Sequence, residues 1–382
     1  MNFDFSEDQK ALKDQVRKFL DQSCPLAVTR RVLDGEDTHA ADVWKGLAEL
    51  GAMGIAIPET YGGMGLGALD LCVVAEEMGR ACAPVPYSST VYLVAEAILR
   101  FGSDAQKSAW LPRIADGSAI GTLAAAEGPQ APNERNIRAS FSGGKLSGAK
   151  VPVSDGEAAN VAVVLASSGG GLSLVLADLG QCGGQGGGQA GGQAGIARER
   201  VAQIDPTRKH ARLTFQGAAA EPLGPAGQGW RLLTELYDAA AVYFAFEQIG
   251  GAESALWMAR DYALERQAFG RQIGSYQGIK HKLADVYIKM ELARSNAYYA
   301  AMMLAEKGAD LPIAAAAARV AAIEAYEFAA KENIQTHGGI GFTWEANPQF
   351  HYRRARVLAL NIGGALAWKH RLVSLLEKKN AA

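Results

Sequence analysis

The sequence has no excess of charge of either sign and few cysteines. Its formal net charge is −2 over 382 residues and it contains no long basic run, which argues against nucleic acid and anionic membranes as partners. The four cysteines are scattered with no CxxC pair, so we expect neither a zinc site nor a disulfide framework, and no metal. A reducing cytoplasmic location fits this cysteine usage.

Long apolar runs are also missing. No apolar stretch reaches membrane-spanning length without charges or glycines, so no membrane association is expected. The first 20 residues are charged and helix-periodic rather than basic and then apolar, which is not the pattern of a secretory signal. The composition that is present, 49% hydrophobic and 20% charged, is typical of a soluble globular protein of two or three domains.

The hydrophobic period changes twice along the chain. Residues 1–118 are helix-periodic and include "SDAQ" at 103–106, a capping box that begins a helix. Residues 119–222 contain short β-branched segments and predict a small β-barrel, in which the Gly-rich stretch 180–195 is a flexible surface loop without chemistry. Residues 223–382 contain long apolar stripes and predict a four-helix bundle. The expected fold is therefore mainly α with a central β-domain.

Two Gly- and Gln-marked motifs lie at predicted helix ends of the bundle. The first, "ALERQAFGRQIGSYQ", places Arg266 at the end of one helix, where an Arg can either complement the helix dipole or hold a pyrophosphate. The second, "IQTHGGIGFTWE", begins at Gln335, and its paired glycines suit either a plain helix C-cap or the close approach of a ligand to the backbone. Each motif alone leaves both interpretations open.

Taken together, these motifs resemble the acyl-CoA dehydrogenase family, and the order of helical, β and helical-bundle regions agrees over essentially the whole chain. Segments such as "IPETYGGMG" and "GSDAQKSAWLPRIADG" resemble the N-terminal domain of the same family. The resemblance implies FAD held between the subunits of a homo- or heterotetramer, an acyl-CoA substrate, and an electron-transferring flavoprotein as the physiological oxidant.

The resemblance also assigns residues to the cofactor. It implies that Arg266 and Phe269 meet the flavin pyrophosphate, that Gln277 and Gln335 meet the adenosine side, and that the backbone at Gly338 and Gly339 contacts the cofactor. Ser154 keeps the hydroxyl expected near flavin N5. Two neighbouring positions depart from the family pattern, since Ala126 replaces a Thr that meets the flavin and Pro152 replaces an aromatic.

The chemistry of the family is desaturation of an acyl-CoA between its α- and β-carbons, with a carboxylate as the proton acceptor and flavin N5 as the hydride acceptor. Both usual positions of that carboxylate are empty here, because Ile362 and Ala240 occupy them. The backbone amide of Ile362, beside Gly363, is still expected to donate to the thioester oxygen. Asp238 is kept from the acyl-CoA-binding "DxxR" motif, whereas its Arg is replaced by Ala241.

Glu247 is the nearest carboxylate on the predicted face of the first bundle helix, two turns after Ala240, within the apolar stretch "YFAFEQIGG". Three interpretations of Glu247 are open: the catalytic base, the partner of an Arg or Lys from another segment, or an outward-facing residue. The small residues Ala240, Ala241, Gly250 and Gly251 hint at a wide cavity for a bulky acyl group.

Our hypothesis for function is FAD-dependent acyl-CoA α,β-dehydrogenation with Glu247 as the base. Two alternatives are kept. In the first, the chain is a non-catalytic or half-site subunit of a heterotetrameric dehydrogenase, which the lost Thr, aromatic and Arg positions favour. In the second, it is an acyl-CoA oxidase that uses O₂ directly.

Overall fold

The computed structural model describes residues 5–180 and 193–381. The predicted Gly-rich loop, 180–195, lies mainly outside these ranges. The described part of the chain is helical, then β, then helical again, as the hydrophobic period predicts. This order confirms the expected fold class.

Eleven α-helices occur in the described ranges, and the longest follow the β region. The helices are α1 (Glu7–Ser23), α2 (Leu26–Asp34), α3 (Ala41–Glu49), α4 (Ala68–Arg80), α5 (Glu96–Phe101), α6 (Asp104–Ala115), α7 (Gly229–Glu265), α8 (Gln277–Ala305), α9 (Leu311–His337), α10 (Pro348–Leu360) and α11 (Ala365–Ala381). A π-helical segment, Ser88–Ala95, precedes α5.

The strands between Gly121 and Leu223 form one mixed sheet. They are β1 (Gly121–Ala124), β2 (Ser140–Ser142), β3 (Lys145–Val153), β4 (Val161–Ser168), β5 (Gly171–Asp178), β6 (Ile196–Val201), β7 (His210–Ala219) and β8 (Glu221–Leu223). The hydrogen-bonded order is β6-β7-β3-β2-β4-β5-β8, and β1 pairs with β4 in parallel. Because β3 and β7 are antiparallel neighbours, residues from the end of β3 and the start of β7 lie side by side.

The chain packs into two compact units that are discontinuous in sequence. The helical unit comprises the described residues of Met1–Thr29, Ala68–Ala83 and Ala241–Ala382, and the sheet unit comprises Arg30–Gly67 and Pro84–Ala240. Helix α7 therefore contributes its first turns to the sheet unit and the rest to the helical unit. The sequence-based domain limits of 118 and 222 stay a prediction.

Local sequence signals explain where several helices begin. In α6, the Ser103 hydroxyl accepts from the Gln106 amide and the Gln106 side chain accepts from the Ser103 amide, so the predicted capping box is confirmed. The same reciprocal pair, Ser6 and Gln9, begins α1. Helix α6 continues past Pro112 to Ala115.

Candidate functional site

The connection between α7 and α8 displays the first cofactor motif on the surface of the helical unit. Helix α7 ends at Glu265, and the chain then forms a short antiparallel pair, β9 (Gln267–Ala268) and β10 (Arg271–Gln272). Its two turn residues, Phe269 and Gly270, both have positive φ, 54° and 78°, as a two-residue hairpin of type I′ requires. The Phe269 side chain is 97% exposed, so this turn presents an aromatic ring outward.

The end of α9 displays the second motif. Gly338 has φ 62° and its amide donates to the Gln335 carbonyl, which ends the helix. A Cβ placed on Gly338 or Gly339 would meet no atom within 4 Å among the described residues, so the backbone of this glycine pair is open to a ligand. The C-cap interpretation and the ligand interpretation are therefore compatible.

An aromatic stack joins the two motifs. The Tyr262 ring, in the last turn of α7, lies 4.1 Å from the His337 ring at an interplanar angle of 24°. His337 is itself fixed through Nδ1, which donates to the Asn333 carbonyl at 2.8 Å. The cofactor residues that the sequence predicts from two distant segments thus lie at one end of the helical unit.

The donor set at this end fits the pyrophosphate and adenosine portions of a dinucleotide. Arg266, Gln277 and Gln335 are exposed, and they offer a guanidinium and two carboxamides at the same end of the helical unit as the open Gly338–Gly339 backbone. A guanidinium suits a pyrophosphate, and a carboxamide can both donate to and accept from an adenine edge. We call these five residues the open end of the helical unit.

Ser154, the residue expected near the flavin ring, lies just after β3 in the sheet unit and is half-buried. Its carbonyl accepts from the Thr122 hydroxyl at 2.6 Å, and its own hydroxyl lies 3.1 Å from Nε2 of His210. The adjacent Asp155 carboxylate is buried and accepts from the guanidinium of Arg208. Ser154 is therefore held in place at both its backbone and its side chain.

Glu127, a second acidic residue of the sheet unit, is committed to structural hydrogen bonds. Its carboxylate accepts from Nζ of Lys150 at 2.7 Å and from the amides of Arg138 and Ala139 at 2.7 and 3.0 Å. Burial alone would raise the pKa of Glu127, but these donors hold it below its ordinary value. A carboxylate held in this way supports strand pairing rather than proton transfer.

Ile362, which we expect at the position of the family's catalytic Glu, lies just after α10 and is 4% exposed. Its carbonyl accepts from Nε1 of Trp368 at 3.2 Å, and the following amide, of Gly363, donates to the Leu360 carbonyl at 3.1 Å. Within the described ranges, the Ile362 amide donates no hydrogen bond to another group of the protein. This buried amide is thus available as a donor to a thioester oxygen, while its side chain contributes only apolar surface.

Glu247 lies in the middle of α7 and is 3% exposed, so the outward-facing interpretation is wrong. Its charge acts on the fully buried Arg319 of α9. Burial lowers the pKa of the Arg319 guanidinium to about 9, and the nearby Glu247 carboxylate opposes that shift. Arg319 also donates to Oε1 of Gln248 at 2.6 Å and to the carbonyl of Leu358 in α10.

The space beside the glycines near Glu247 is occupied by neighbouring backbone and side-chain atoms. A Cβ on Gly250 would lie 1.8 Å from the Glu76 carbonyl oxygen, and a Cβ on Gly251 would lie 2.4 Å from the Tyr326 ring. In return, a Cβ on Gly79 of α4 would lie 1.7 Å from the Glu247 carbonyl oxygen. We call Gly79, Glu247, Gly250, Gly251 and Arg319 the closed middle of the helical unit.

The expectation that Gly250 and Gly251 border a wide cavity for a bulky acyl group is therefore wrong. Small residues let α4 and α7 approach until backbone meets backbone, and the Tyr326 ring takes the remaining space. Ala240 and Ala241 are likewise fully buried. Asp238 is 5% exposed in the part of α7 that belongs to the sheet unit, and its contact with acyl-CoA stays a prediction.

Two residues of the candidate site were missed by sequence reasoning. Arg319 stands in the alanine-rich stripe of α9 and carries no motif, and His210 begins an ordinary strand. A single Arg in an otherwise apolar helix was a visible signal for the first. No signal in the sequence linked His210 to Ser154.

Among the described residues, no group of three or more His, Cys, Asp and Glu is arranged to hold a metal ion. Cys24, Cys72 and Cys82 are buried and form no disulfide bond within the described part of the chain. None of the described helices is both long and apolar enough to cross a membrane.

Comparison with known protein families matches two regions of the chain. Residues 6–118 match the acyl-CoA dehydrogenase N-terminal domain and residues 227–365 match the acyl-CoA dehydrogenase C-terminal domain. The chain is also 32% identical over 350 residues to acyl-CoA dehydrogenase IpdE2 of Mycobacterium tuberculosis, a match that covers 91% of each chain.

Solved structures agree over nearly the full length. One, described as the Tcur3481-Tcur3483 steroid ACAD G363A variant, is 31% identical with a TM-score of 0.87 and covers 98% of this chain and 99% of its own. Another, the ChsE4-ChsE5 complex from Mycobacterium tuberculosis, is 27% identical with a TM-score of 0.87 and covers 99% of both chains.

Proposed function

This chain belongs to the acyl-CoA dehydrogenase family, and we propose that it takes part in FAD-dependent α,β-dehydrogenation of an acyl-CoA thioester. The observation that carries the proposal is the open end, where the exposed Arg266, Gln277 and Gln335 lie at the same end of the helical unit as the uncovered Gly338–Gly339 backbone. Exposed Phe269 fits the same role, because an aromatic held outward on a rigid turn can cover a bound cofactor.

When bound, FAD supplies the acceptor for the hydride that leaves the β-carbon. The chain's own residues supply the remainder. The Ile362 amide would polarise the thioester carbonyl, which makes the α-proton more acidic. Ser154 would contact the flavin ring, and Asp238 would contribute to acyl-CoA binding.

Glu247 is our candidate for the proton acceptor. The position of Glu247 supports this assignment, because its carboxylate lies on α7, two turns after Ala240, inside apolar surroundings. Proton removal by Glu247 would require the α-carbon to reach the closed middle.

A second function is favoured by one observation, the charge interaction between Glu247 and Arg319. A carboxylate that neutralises a fully buried guanidinium has a structural task, and in that case this chain would supply no base. The chain would then be a half-site subunit, with the complete site formed with a sister chain in a heterotetramer. The similarity to one chain of a complex described by two component names, ChsE4-ChsE5, supports this arrangement.

The two functions are separated by purification and by one substitution. The chain is expressed alone and with a sister dehydrogenase chain, and bound flavin is measured by its visible absorbance. Anaerobic bleaching of that flavin by a panel of acyl-CoA thioesters then measures the first half-reaction. Dioxygen consumption during turnover would point to an oxidase, and reoxidation by an electron-transferring flavoprotein to a dehydrogenase.

Glu247→Gln is the decisive variant, with Glu253→Gln as its matched control. Glu253 lies on the same helix and pairs with an arginine, Arg294, at 3.0 Å, but it is not a candidate base. If Glu247 is the base, its variant bleaches at least about a hundredfold more slowly while the control does not. A rate within about tenfold of the wild type excludes Glu247 as the base.

A further inference from the structure

The His210 ring connects Ser154 to the backbone of β7. Nδ1 of His210 lies 3.1 Å from the carbonyl oxygen of Arg208, and Nε2 lies 3.1 Å from the Ser154 hydroxyl. The ring is 7% exposed, so water does not readily compete for either nitrogen. Both nitrogens of one buried imidazole are therefore engaged.

The partner of Nδ1 fixes the direction of that hydrogen bond, and the charge state of the ring fixes the other. A carbonyl oxygen can only accept, so Nδ1 must carry a proton and donate to Arg208. In a neutral imidazole the other nitrogen then holds a lone pair, so Nε2 accepts and the Ser154 hydroxyl donates. The hydroxyl proton of Ser154 is consequently committed to His210.

The surroundings keep the imidazole neutral. Burial lowers the pKa of His210, and the Arg208 guanidinium lowers it further, while Asp155 and Asp205 oppose the shift. The Asp155 carboxylate accepts from Nε of Arg208 at 2.9 Å and from the Ser89 hydroxyl at 2.5 Å. In this neutral ring Nε2 accepts the hydrogen bond of the Ser154 hydroxyl.

We propose that His210 is a positioning residue that holds the Ser154 hydroxyl proton away from the flavin, so that the serine oxygen presents its lone pairs there. This inference rests on the proposed function, which brings the flavin to Ser154. An oxygen lone pair can accept from the N–H that a flavin carries at N5 only when it is reduced. His210 would therefore favour the reduced flavin relative to a free hydroxyl, which could donate to the oxidised form.

The hydrogen-bond directions are tested first, without cofactor. Nitrogen-15 NMR of the flavin-free full chain is expected to show His210 protonated at Nδ1 and unprotonated at Nε2 at neutral pH. Ser154→Ala should shift the Nε2 resonance, since it removes the hydroxyl donor, and should leave the Nδ1 proton in place. Protonation at Nε2 instead of Nδ1 overturns the inference, whatever the chain binds.

The effect on the flavin is tested by the midpoint potential of the flavin-loaded assembly. His210→Leu, and His210→Gln as a second variant if the first folds poorly, should make the potential more negative. In a Ser154→Ala background the same His210 substitution should have no effect, because no hydroxyl remains to be turned. His39→Gln, at a half-buried histidine of the sheet unit, is the control and should leave the potential unchanged.

The outcomes separate the inference from the function on which it rests. An unchanged potential in the His210 variants of a yellow, flavin-loaded assembly overturns the inference and leaves the proposed function standing. An assembly that binds no flavin, with or without a sister chain, overturns both.

Discussion

The closed middle and the open end of the helical unit are built from the same residue types and do opposite things. Each has glycines and an arginine. In the closed middle, backbone oxygens or a ring occupy the space beside Gly79, Gly250 and Gly251. At the open end, no atom of the described chain lies within 4 Å of a Cβ on Gly338 or Gly339.

The arginines differ in the same way. Arg319 is fully buried, and the negative charge of Glu247 favours its charged form. Arg266, in contrast, is exposed after the last turn of α7. A glycine next to a functional group therefore does not by itself indicate a ligand. What matters is whether the space it leaves is already taken by the protein.

The largest expected contrast is between the two arginines. Arg319→Met leaves the Glu247 charge buried without its guanidinium and should lower the free energy of unfolding by about 3 to 5 kcal/mol. Arg266→Met should change it by less than about 0.5 kcal/mol, since the side chain is exposed. Chemical denaturation measures both, and equal effects would contradict the distinction between closed and open regions.

The glycines provide the next contrast. Gly250→Ala should cost about 1 to 3 kcal/mol, because the new methyl group meets the carbonyl of Glu76 and forces α4 and α7 apart. This loss comes in spite of the higher helix propensity of alanine. Gly339→Ala should leave the unfolding free energy nearly unchanged. A stable Gly250→Ala variant would show that the two helices do not touch as described.

A smaller effect concerns pH in the closed middle. Tyr326, which fills the space beside Gly251, bonds through its hydroxyl to Nδ1 of His351 at 3.1 Å. Burial, together with Arg354, lowers the pKa of His351 to about 4 from 6.5. The unfolded chain thus binds more protons between these values, so stability is highest above about pH 6.5 and falls as the pH drops toward 4.

The slope of this loss should reach at most about 1.4 kcal/mol per pH unit. His351→Gln should flatten the dependence, whereas His370→Gln, at an exposed position, should not. Thermal denaturation between pH 7 and 4.5 provides the comparison. An identical pH dependence in wild type and His351→Gln would contradict the neutral buried imidazole.

Much of the fold was predictable because its signals are local. The capping box at Ser103 and Gln106, the change of hydrophobic period near residues 119 and 222, and the helix-ending Gly338 all depend on neighbours in sequence. The placement of Arg266 and Gln335 at helix ends was also predictable, since a motif is itself a local pattern.

The pairings that define the closed middle and the Ser154 site were not predictable, because each joins segments far apart in sequence. Glu247 is in α7 and Arg319 in α9, while Ser154 and His210 are 56 residues apart. Gly250 and Gly251 suggested space because a missing side chain looks the same in sequence whether a ligand or a neighbouring helix takes its place.

The most direct test of the central claim is the affinity of the purified assembly for FAD when the open glycine pair is filled. Gly339→Val is compared with Gly169→Val, at an exposed glycine of the sheet unit that also has no atom within 4 Å of its Cβ position. We predict that Gly339→Val weakens FAD binding at least about tenfold, about 1.4 kcal/mol, at an unchanged thermal midpoint, and that Gly169→Val binds as the wild type does. Wild-type affinity in Gly339→Val would contradict the assignment of the open end to the cofactor.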